Sequence, residues 1–282
     1  MNRTVIKVLR LVLAGVLVTA LAVVLWRQVE YARAEEDYEQ AAKLAGLPEA
    51  GSSAPAVPAA SEEPTEKPSE SSSEEVRPSE PVGIPLEEVD LAALKQVNSD
   101  VVGWISIPDT ELSYPLLQGT DNQYYLNHTW RKKSNGMGAI YLDYHFDPGL
   151  TDFYAIIYGH RMHNASMFGS LARYEKQEYW SKHPSVYLVL QEGVVRYDIF
   201  AAFEAGVQSD IYRLGFSQTE DREAFVSWCL EQSVIDTGLV PSPDGRIITL
   251  STCTESGGAA TRWVVLAVLA EDDPAPSEQP EA

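Results

Sequence analysis

Cys253 is the residue best suited to covalent chemistry in this 282-residue chain, because it is one of only 2 cysteines and follows the apolar run RIITLST. Side chains at strand ends, where the chain enters a loop, are often exposed and functional. A thiol attacks a carbonyl carbon as a thiolate, which needs a base or a cation beside it. The sequence must therefore supply such partners if Cys253 is a nucleophile rather than a packed core residue or half of a disulfide.

A base for this thiol can come from one of the 5 histidines. His160 follows the apolar run FYAIIYG, so a polar residue ends a predicted strand there as it does at Cys253. His160 and His163 form an alternative pair of metal ligands, but HRMH is not the H-E-x-x-H pattern and the sequence offers no obvious third ligand. We interpret the remaining histidines as surface or turn residues: His128, His145 and His183.

Arg262 begins the apolar run RWVVLAVLA, nine residues after Cys253. A guanidinium is planar and permanently charged, so it can favour a thiolate and hold the oxygen of a substrate carbonyl. The strand that Arg262 begins is expected to pair with the strand before Cys253. The alternative is an ordinary surface arginine at the start of a strand.

Cys229 lies in the segment 217–233, which has the composition of a helix. Ser217 and Glu220 have the spacing of a capping box, and Phe225 and Cys229 are an i,i+4 pair on an apolar stripe. A cysteine on such a stripe is most simply a small core residue. A Cys229–Cys253 disulfide is the alternative, because the chain is predicted to be exported.

Eight short runs rich in Val, Ile and Tyr predict strands, with Gly, Pro, Asn and Asp between them. Few helices accompany them: one amphipathic helix over 86–100, a shorter helical insertion over 167–183, and the segment 217–233. Many short strands with few helices favour a barrel or a sandwich. The runs are 101–108, 113–119, 138–144, 153–159, 185–191, 194–205, 246–252 and 261–270.

The N-terminus predicts a membrane helix, because 16 residues from Leu11 to Trp26 carry no charge and cover roughly 24 Å as a helix. A cleaved signal peptide is the alternative. Basic residues before and within the start of the span favour a cytoplasmic N-terminus and an extracellular remainder. We therefore divide the chain into a cytoplasmic end with a transmembrane anchor (1–29), a helical stalk with a disordered linker (30–83), a folded domain (84–270) and an acidic disordered tail (271–282).

The net charge of −20 excludes some partners. Nucleic acid is bound mainly through basic residues at phosphates, so no nucleic-acid partner is expected. Adhesion of the domain to anionic lipid is disfavoured for the same reason. The Pro-, Ser- and Glu-rich stretch 51–83 is predicted to be a disordered tether that holds the domain away from a membrane.

TLSTC, residues 249–253, fits the TLxTC signature of the sortases, with His160 upstream and Arg262 opening the following strand. The domain resembles class B sortases through nearly its whole length, including the stretches GAIYLDY, IIYGHRM and MFGSLARY. The resemblance implies a closed eight-stranded β-barrel that is mainly β with added helices. It also implies an N-terminal helix, and a helix between the two strands that precede the cysteine.

The same resemblance implies a membrane-anchored cysteine transpeptidase without a metal or organic cofactor. Such an enzyme cuts a C-terminal sorting signal of a secreted protein and transfers the acyl group to an amine of a peptidoglycan precursor or a pilin. Carried over to this chain, Cys253 is the nucleophile, His160 the general acid and Arg262 the group that holds the oxyanion. The implied substrate-binding residues are Thr252, Ser251, Tyr158, Asn122 and Leu126.

One segment departs from the family pattern: the loop in CTESGGAATR is rich in Gly and Ala where acidic or aromatic residues are expected. Two rival functions stay open at this point. A secreted cysteine peptidase would use the same Cys253 and His160 with water as the acceptor. A non-catalytic ectodomain on a membrane anchor would have the same layout of anchor, linker and domain.

Overall fold

The computed structural model describes residues 3–47, 85–253 and 260–271. Eight strands form a closed barrel in the order β1-β2-β3-β4-β7-β8-β6-β5. Each of the eight apolar runs forms one of these strands, so the predicted fold class is confirmed. The strands are β1 Val101–Ser106, β2 Ser113–Leu117, β3 Ile140–Leu142, β4 Tyr154–Tyr158, β5 Ser185–Leu190, β6 Gly193–Gly206, β7 Ile247–Cys253 and β8 Thr261–Leu269.

The pairing of three strands decides which loops meet at one end of the barrel. β7 pairs with β4 in parallel and with β8 in antiparallel fashion. The C-terminal ends of β4 and β7 and the N-terminal end of β8 therefore lie side by side. The strands are anchored by a core that includes the fully buried Trp104 and Phe200.

Two helix predictions need correction. The predicted helix over 86–100 is two pieces, a 3-10 turn at Leu86–Glu88 and α2 at Leu91–Val97. Val89 is extended between them, and the Asp90 side chain accepts a hydrogen bond from the Ala93 amide, which starts α2 afresh.

The insertion over 167–183 is likewise split, into a 3-10 helix at Gly169–Glu175 and α3 at Gln177–Lys182. The helix α4, Thr219–Gln232, lies between β6 and β7 as predicted. The predicted capping box of α4 is wrong, because Gln218 occupies the N-cap position and its side chain makes no capping hydrogen bond.

The first helix, α1, runs without a break from Arg3 to Leu44. By length and composition it is apolar enough to cross a membrane, and its residues 12–29 are exposed. Beyond them, Ala34, Tyr38 and Ala41 are buried against the barrel, and residues 34–44 are called the docked part of α1 below. The part of the predicted stalk that the structure describes thus lies against the domain, and the predicted tether over 51–83 lies outside the described residues.

Candidate active site

Cys253 and Arg262 are direct cross-strand partners at the end of the β7–β8 pair. Opposite residues of an antiparallel pair have Cα atoms about 4.5–5.5 Å apart, so a guanidinium and a thiol at these positions share one end of the barrel. The Arg262 Nη1 donates a hydrogen bond of 2.8 Å to the carbonyl of Thr261, which keeps the head group near the strand. Cys253 is partly exposed, and its thiol is free.

His160 reaches the same end through the parallel β4–β7 register. Tyr158 lies opposite Ser251, and the Gly159 amide donates to the carbonyl of Ser251 at 3.2 Å. Two residues further along the chain from these partners are His160 and Cys253. Adjacent strands are about 4.8 Å apart, so the register brings the imidazole segment and the cysteine to neighbouring strand ends.

The ring of His160 is held from one side. Its Nε2 lies 2.6 Å from the carbonyl oxygen of Leu126, a distance that requires a proton on Nε2. Gly138 lies on the ring's flank with φ of +59°, and a Cβ there would come within 2.9 Å of His160 Cδ2. Only glycine combines this backbone conformation with this approach to the ring.

Two tyrosine side chains, those of Tyr141 and Tyr212, lie near Cys253 and Arg262. Burial raises the pKa of Tyr141 above its usual range, with Asp143, Asp121 and Cys253 adding to the rise and Arg262 opposing it. The Tyr141 hydroxyl therefore stays protonated in the working pH range and acts as a hydrogen-bond donor.

The pKa of Tyr212 is raised by burial as well, although Ser251 and Arg262 oppose the rise. The Tyr212 hydroxyl lies 2.9 Å from the Ser251 Oγ. The sequence predictions missed both Tyr141 and Tyr212. Tyr141 stands in the apolar run GAIYLDY, and Tyr212 is a single tyrosine in a segment with no chemical motif.

A buried carboxylate organises the wall beside these tyrosines. Asp143 is 3% exposed and accepts hydrogen bonds from Asn122 Nδ2 at 2.7 Å and Tyr158 Oη at 3.1 Å. His145 Nδ1 lies 2.8 Å from its other oxygen. Residue type and spacing do not reveal this role, because Asp143 stands at the end of a three-residue strand among other polar residues.

The five predicted substrate-binding residues differ in how they meet this end of the barrel. Leu126 is 42% exposed and Tyr158 is half-buried. Asn122 uses its amide inside the protein, since Nδ2 donates to Asp143 and Oδ1 accepts from the Tyr144 amide.

The two residues before the cysteine are both 2% exposed. Ser251 and Cys253 are two apart on β7 and share a face, whereas Thr252 points to the opposite face. The Thr252 hydroxyl is buried without a hydrogen-bond partner in the described chain. Because Ser251 is equally buried, burial does not separate the two residues, and the substrate-binding role of Thr252 stays a prediction.

The structure also bears on the alternative disulfide and the alternative metal site. Both cysteines are free, and Cys229 is fully buried on α4. No three His, Cys, Asp or Glu residues cluster as metal ligands within 3–47, 85–253 and 260–271, so His160 and His163 have no third ligand there. The Gly- and Ala-rich loop after the cysteine, residues 254–259, lies outside the described residues.

Comparison with known proteins identifies this arrangement. The family model described as Sortase domain matches residues 105–270. Sortase B of Listeria monocytogenes is 36% identical over 179 residues, covering 62% of this chain and 72% of that protein. The solved Staphylococcus aureus sortase B–substrate complex has a TM-score of 0.61 at 30% identity, covering 64% of this chain and 85% of that chain. A crystal structure of sortase B complexed with triglycine has a TM-score of 0.61 at 30% identity, covering 64% of this chain and 86% of that chain.

The barrel with a cysteine and an arginine on paired strands is thus that of a cysteine transpeptidase. The chain belongs to the sortase family and, within it, to class B.

Proposed function

We propose that this transpeptidase is anchored in the cell membrane by α1, cleaves a C-terminal sorting signal of secreted proteins at Cys253, and transfers the acyl group to an amine of a peptidoglycan precursor or a pilin. The observation that carries the proposal is the meeting of three strand ends, which brings Cys253 opposite Arg262 and next to the segment of His160.

In the first half-reaction, the Cys253 thiolate attacks the carbonyl carbon of the scissile peptide bond. The carbonyl oxygen becomes an oxyanion, and the Arg262 guanidinium stabilises it by charge and by hydrogen bonding. The tetrahedral intermediate collapses when the C–N bond breaks, and the leaving amine takes a proton from the His160 imidazolium. The products are a thioester on Cys253 and the released C-terminal fragment.

The contact with Leu126 supports Nδ1 as the nitrogen of His160 that moves the proton. Nε2–H is committed to the Leu126 carbonyl at 2.6 Å, so the imidazolium gives up its Nδ1 proton and returns to the Nε2–H tautomer. In the second half-reaction the incoming amine attacks the thioester and gives a proton to Nδ1, and the C–S bond breaks to release the Cys253 thiolate beside the re-formed imidazolium. The active form is the thiolate–imidazolium pair, and two such half-reactions give ping-pong kinetics.

The sorting peptide is proposed to lie along the wall formed by Leu126, Tyr158 and the segment of Asn122. Asp143 fixes this wall by accepting from Asn122 and Tyr158, and Ser251 continues it toward the cysteine. Staphylococcus aureus sortase B has been solved with substrate, and a sortase B has been solved with triglycine. The latter favours an amino-terminal glycine as one acceptor to test here.

The membrane part of the proposal rests on α1. Its exposed residues 12–26 form an apolar surface, and the helix continues directly into the docked part. With a cytoplasmic N-terminus the barrel is extracellular. From Trp26 to Tyr38 the helix rises about 18 Å, which would hold the site close to the membrane surface.

The test is incubation of the full-length protein in detergent with LPxTG-like and NPxTN-like peptides, with and without amines such as triglycine. A peptide–amine ligation product detected by mass spectrometry, lost in Cys253→Ala, supports the proposal. Cleavage that yields only the free acid, unchanged by any amine, contradicts it in favour of the peptidase. No cleavage of any peptide while Cys253 stays unreactive toward thiol reagents contradicts both.

A further inference from the structure

The docked part of α1 is fixed to the segment that runs from Leu126 to Gly138 in front of β3. Trp130 Nε1 donates to the Asp37 carbonyl at 2.7 Å, and Lys133 Nζ lies 2.8 Å from the Asp37 carboxylate. This segment carries two groups that flank the imidazole ring of the site, a carbonyl at its first residue and a glycine at its last. The helix is thus attached to the support of the imidazole.

Tyr38 makes the most direct connection. Its hydroxyl, on a side chain 7% exposed, donates a hydrogen bond of 2.6 Å to the Gly138 carbonyl. A Cβ on Gly138 would lie 2.7 Å from the Leu126 carbonyl oxygen and 2.9 Å from His160 Cδ2. Gly138 therefore lies beside both the ring and its hydrogen-bond acceptor, and a displacement of this glycine would disturb their contact.

A second connection reaches the backbone of His160. The Tyr38 ring packs edge-on against Tyr114, with centroids 5.3 Å apart and an angle of 86°. The Tyr114 hydroxyl accepts from the Met167 amide at 3.2 Å, and the next amide, that of Phe168, donates to the His160 carbonyl at 3.0 Å. Tyr38 therefore braces the histidine from its ring side and from its main chain.

We propose that Tyr38 is a positioning residue for the imidazole of His160, acting through Gly138 and Tyr114, so that turnover depends on the docked part of α1. The inference rests on the proposed role of His160 as the general acid. Removing the hydroxyl leaves the ring packing but releases Gly138, so the imidazole loses its fixed orientation. Among the described residues, Tyr38 makes no hydrogen bond or ring contact with Tyr158, Asn122 or Asp143. Most of the peptide wall therefore keeps its geometry, and the variant should affect kcat more than substrate binding.

The test compares Tyr38→Phe with Tyr174→Phe in the full-length protein in detergent. Tyr174 is fully buried and donates to the His183 carbonyl at 2.7 Å, so its variant loses a matched hydrogen bond away from the site. We expect Tyr38→Phe to lower kcat about ten-fold with a smaller change in KM, because small misplacements of catalytic groups are costly. Tyr174→Phe should keep the wild-type kcat while its melting temperature falls by a similar amount.

A readout that needs no turnover separates this inference from the proposed function. In ¹⁵N spectra of the imidazoles, His160 should be a single Nε2-protonated tautomer in the wild type and an average of tautomers in Tyr38→Phe. An unchanged spectrum together with wild-type kcat, or an equal loss of kcat in both variants, would overturn the role of Tyr38. Absence of ligation in the wild type contradicts the proposed function, and the spectra still decide the inference.

If Tyr38→Phe does not fold, Tyr114→Phe tests the same connection with the helix contacts intact. It removes the acceptor of the Met167 amide, and a several-fold loss of kcat at constant KM is expected. Wild-type kcat and an unchanged His160 spectrum in a folded Tyr114→Phe protein would contradict the proposal.

Discussion

The two cysteines of this chain lie in opposite surroundings. Cys229 is fully buried on α4, and burial raises the pKa of its thiol far above the usual value, with Asp210 adding to the rise. Cys253 ends β7, is partly exposed, and stands opposite Arg262. Both are free thiols.

The difference between the two cysteines shows that position in the fold, rather than residue type, determines whether a thiol is reactive. A thiolate at Cys229 would be desolvated and would face the carboxylate of Asp210, so this thiol stays neutral and packs as a small apolar group. A thiolate at Cys253 would face a guanidinium at a strand end open to a peptide.

The largest expected difference between the two is in turnover. Cys253→Ala should abolish ligation, because the thioester cannot form. Cys229→Ala should keep the wild-type rate and lose about 1–2 kcal/mol of stability from the small cavity. Product formation by mass spectrometry and thermal melting of both variants check this. Residual ligation in Cys253→Ala, beyond what contaminating wild type explains, would contradict the role of Cys253 as the nucleophile.

Removing the cation beside Cys253 should have the next largest effect. Arg262→Ala should lower kcat about 10²–10³-fold, since an oxyanion donor is lost, and Arg262→Lys should recover only part of it. Arg173→Ala is the control, because Arg173 is an exposed arginine whose ion pair with Glu111 is 3.6 Å long. Steady-state kinetics measure the losses, and equal rates for Arg262→Ala and the control would show that the guanidinium is not used.

Thiol reagents should distinguish the cysteines in the native protein. We expect a thiosulfonate reagent to modify Cys253 at least about 10²-fold faster than Cys229, because the thiolate is the reactive form and Cys229 is buried and neutral. Peptide mapping after timed quenching gives both rates, and denatured protein, in which both thiols react, is the control. Similar native rates would contradict the assignment.

A change in the wall that is proposed to bind the peptide should have a smaller effect on turnover. Asp143→Asn turns one of the two acceptor oxygens into an NH2 donor, so the donors of Asn122 and Tyr158 or those of His145 lose their acceptor. Leaving part-buried donors unpaired costs about 1–3 kcal/mol. KM should rise about ten-fold while kcat changes less, since Cys253 is not touched. Asp198→Asn, a partly buried carboxylate elsewhere on the barrel, is the matched control. A fall in kcat at constant KM would place Asp143 in the chemistry instead.

The smallest predicted effect is in alkaline stability. The folded pKa of Cys229 lies above its ordinary value of 9.0, so the native state holds this proton more tightly than the unfolded state. Its stabilisation is complete below pH 9 and declines as pH rises, by about 1 kcal/mol between pH 9 and 10. Urea unfolding at both pH values should show that this part of the decline is missing in Cys229→Ala. An identical decline in both proteins would contradict the buried, neutral thiol.

The strands are readable from the sequence because each apolar run is short and bounded by turn residues, as at Ile247–Cys253. The predicted helix over 86–100 is wrong because Asp90 caps a new helix inside an amphipathic pattern. The docking of α1 also has a signal in the sequence. Ala34, Tyr38, Ala41 and Ala45 recur at helical spacing, which marks a face buried against a neighbour.

In the candidate site, the sequence predicts residues that act through their side chains but not groups of the backbone. Cys253, His160 and Arg262 follow from residue type at the boundary of predicted strands, together with the family signature. The Leu126 carbonyl is a backbone group, and its contact with His160 depends on a loop conformation that no residue type encodes. Asp143 likewise depends on the fold, because the β3–β4 pairing brings Tyr158 to it and the loop before β3 brings Asn122.

The most direct measurement is to trap the acyl-enzyme. Full-length protein is mixed, without added amine, with an intact sorting peptide that it is known to cleave. The reaction is quenched in acid and digested, and the fragment that contains Cys253 is analysed by mass spectrometry. We expect Cys253 to carry the added mass of the peptide's N-terminal portion, attached through a thioester bond that hydroxylamine cleaves. Turnover with no adduct there, or an adduct at Cys229 or any other residue, would contradict it.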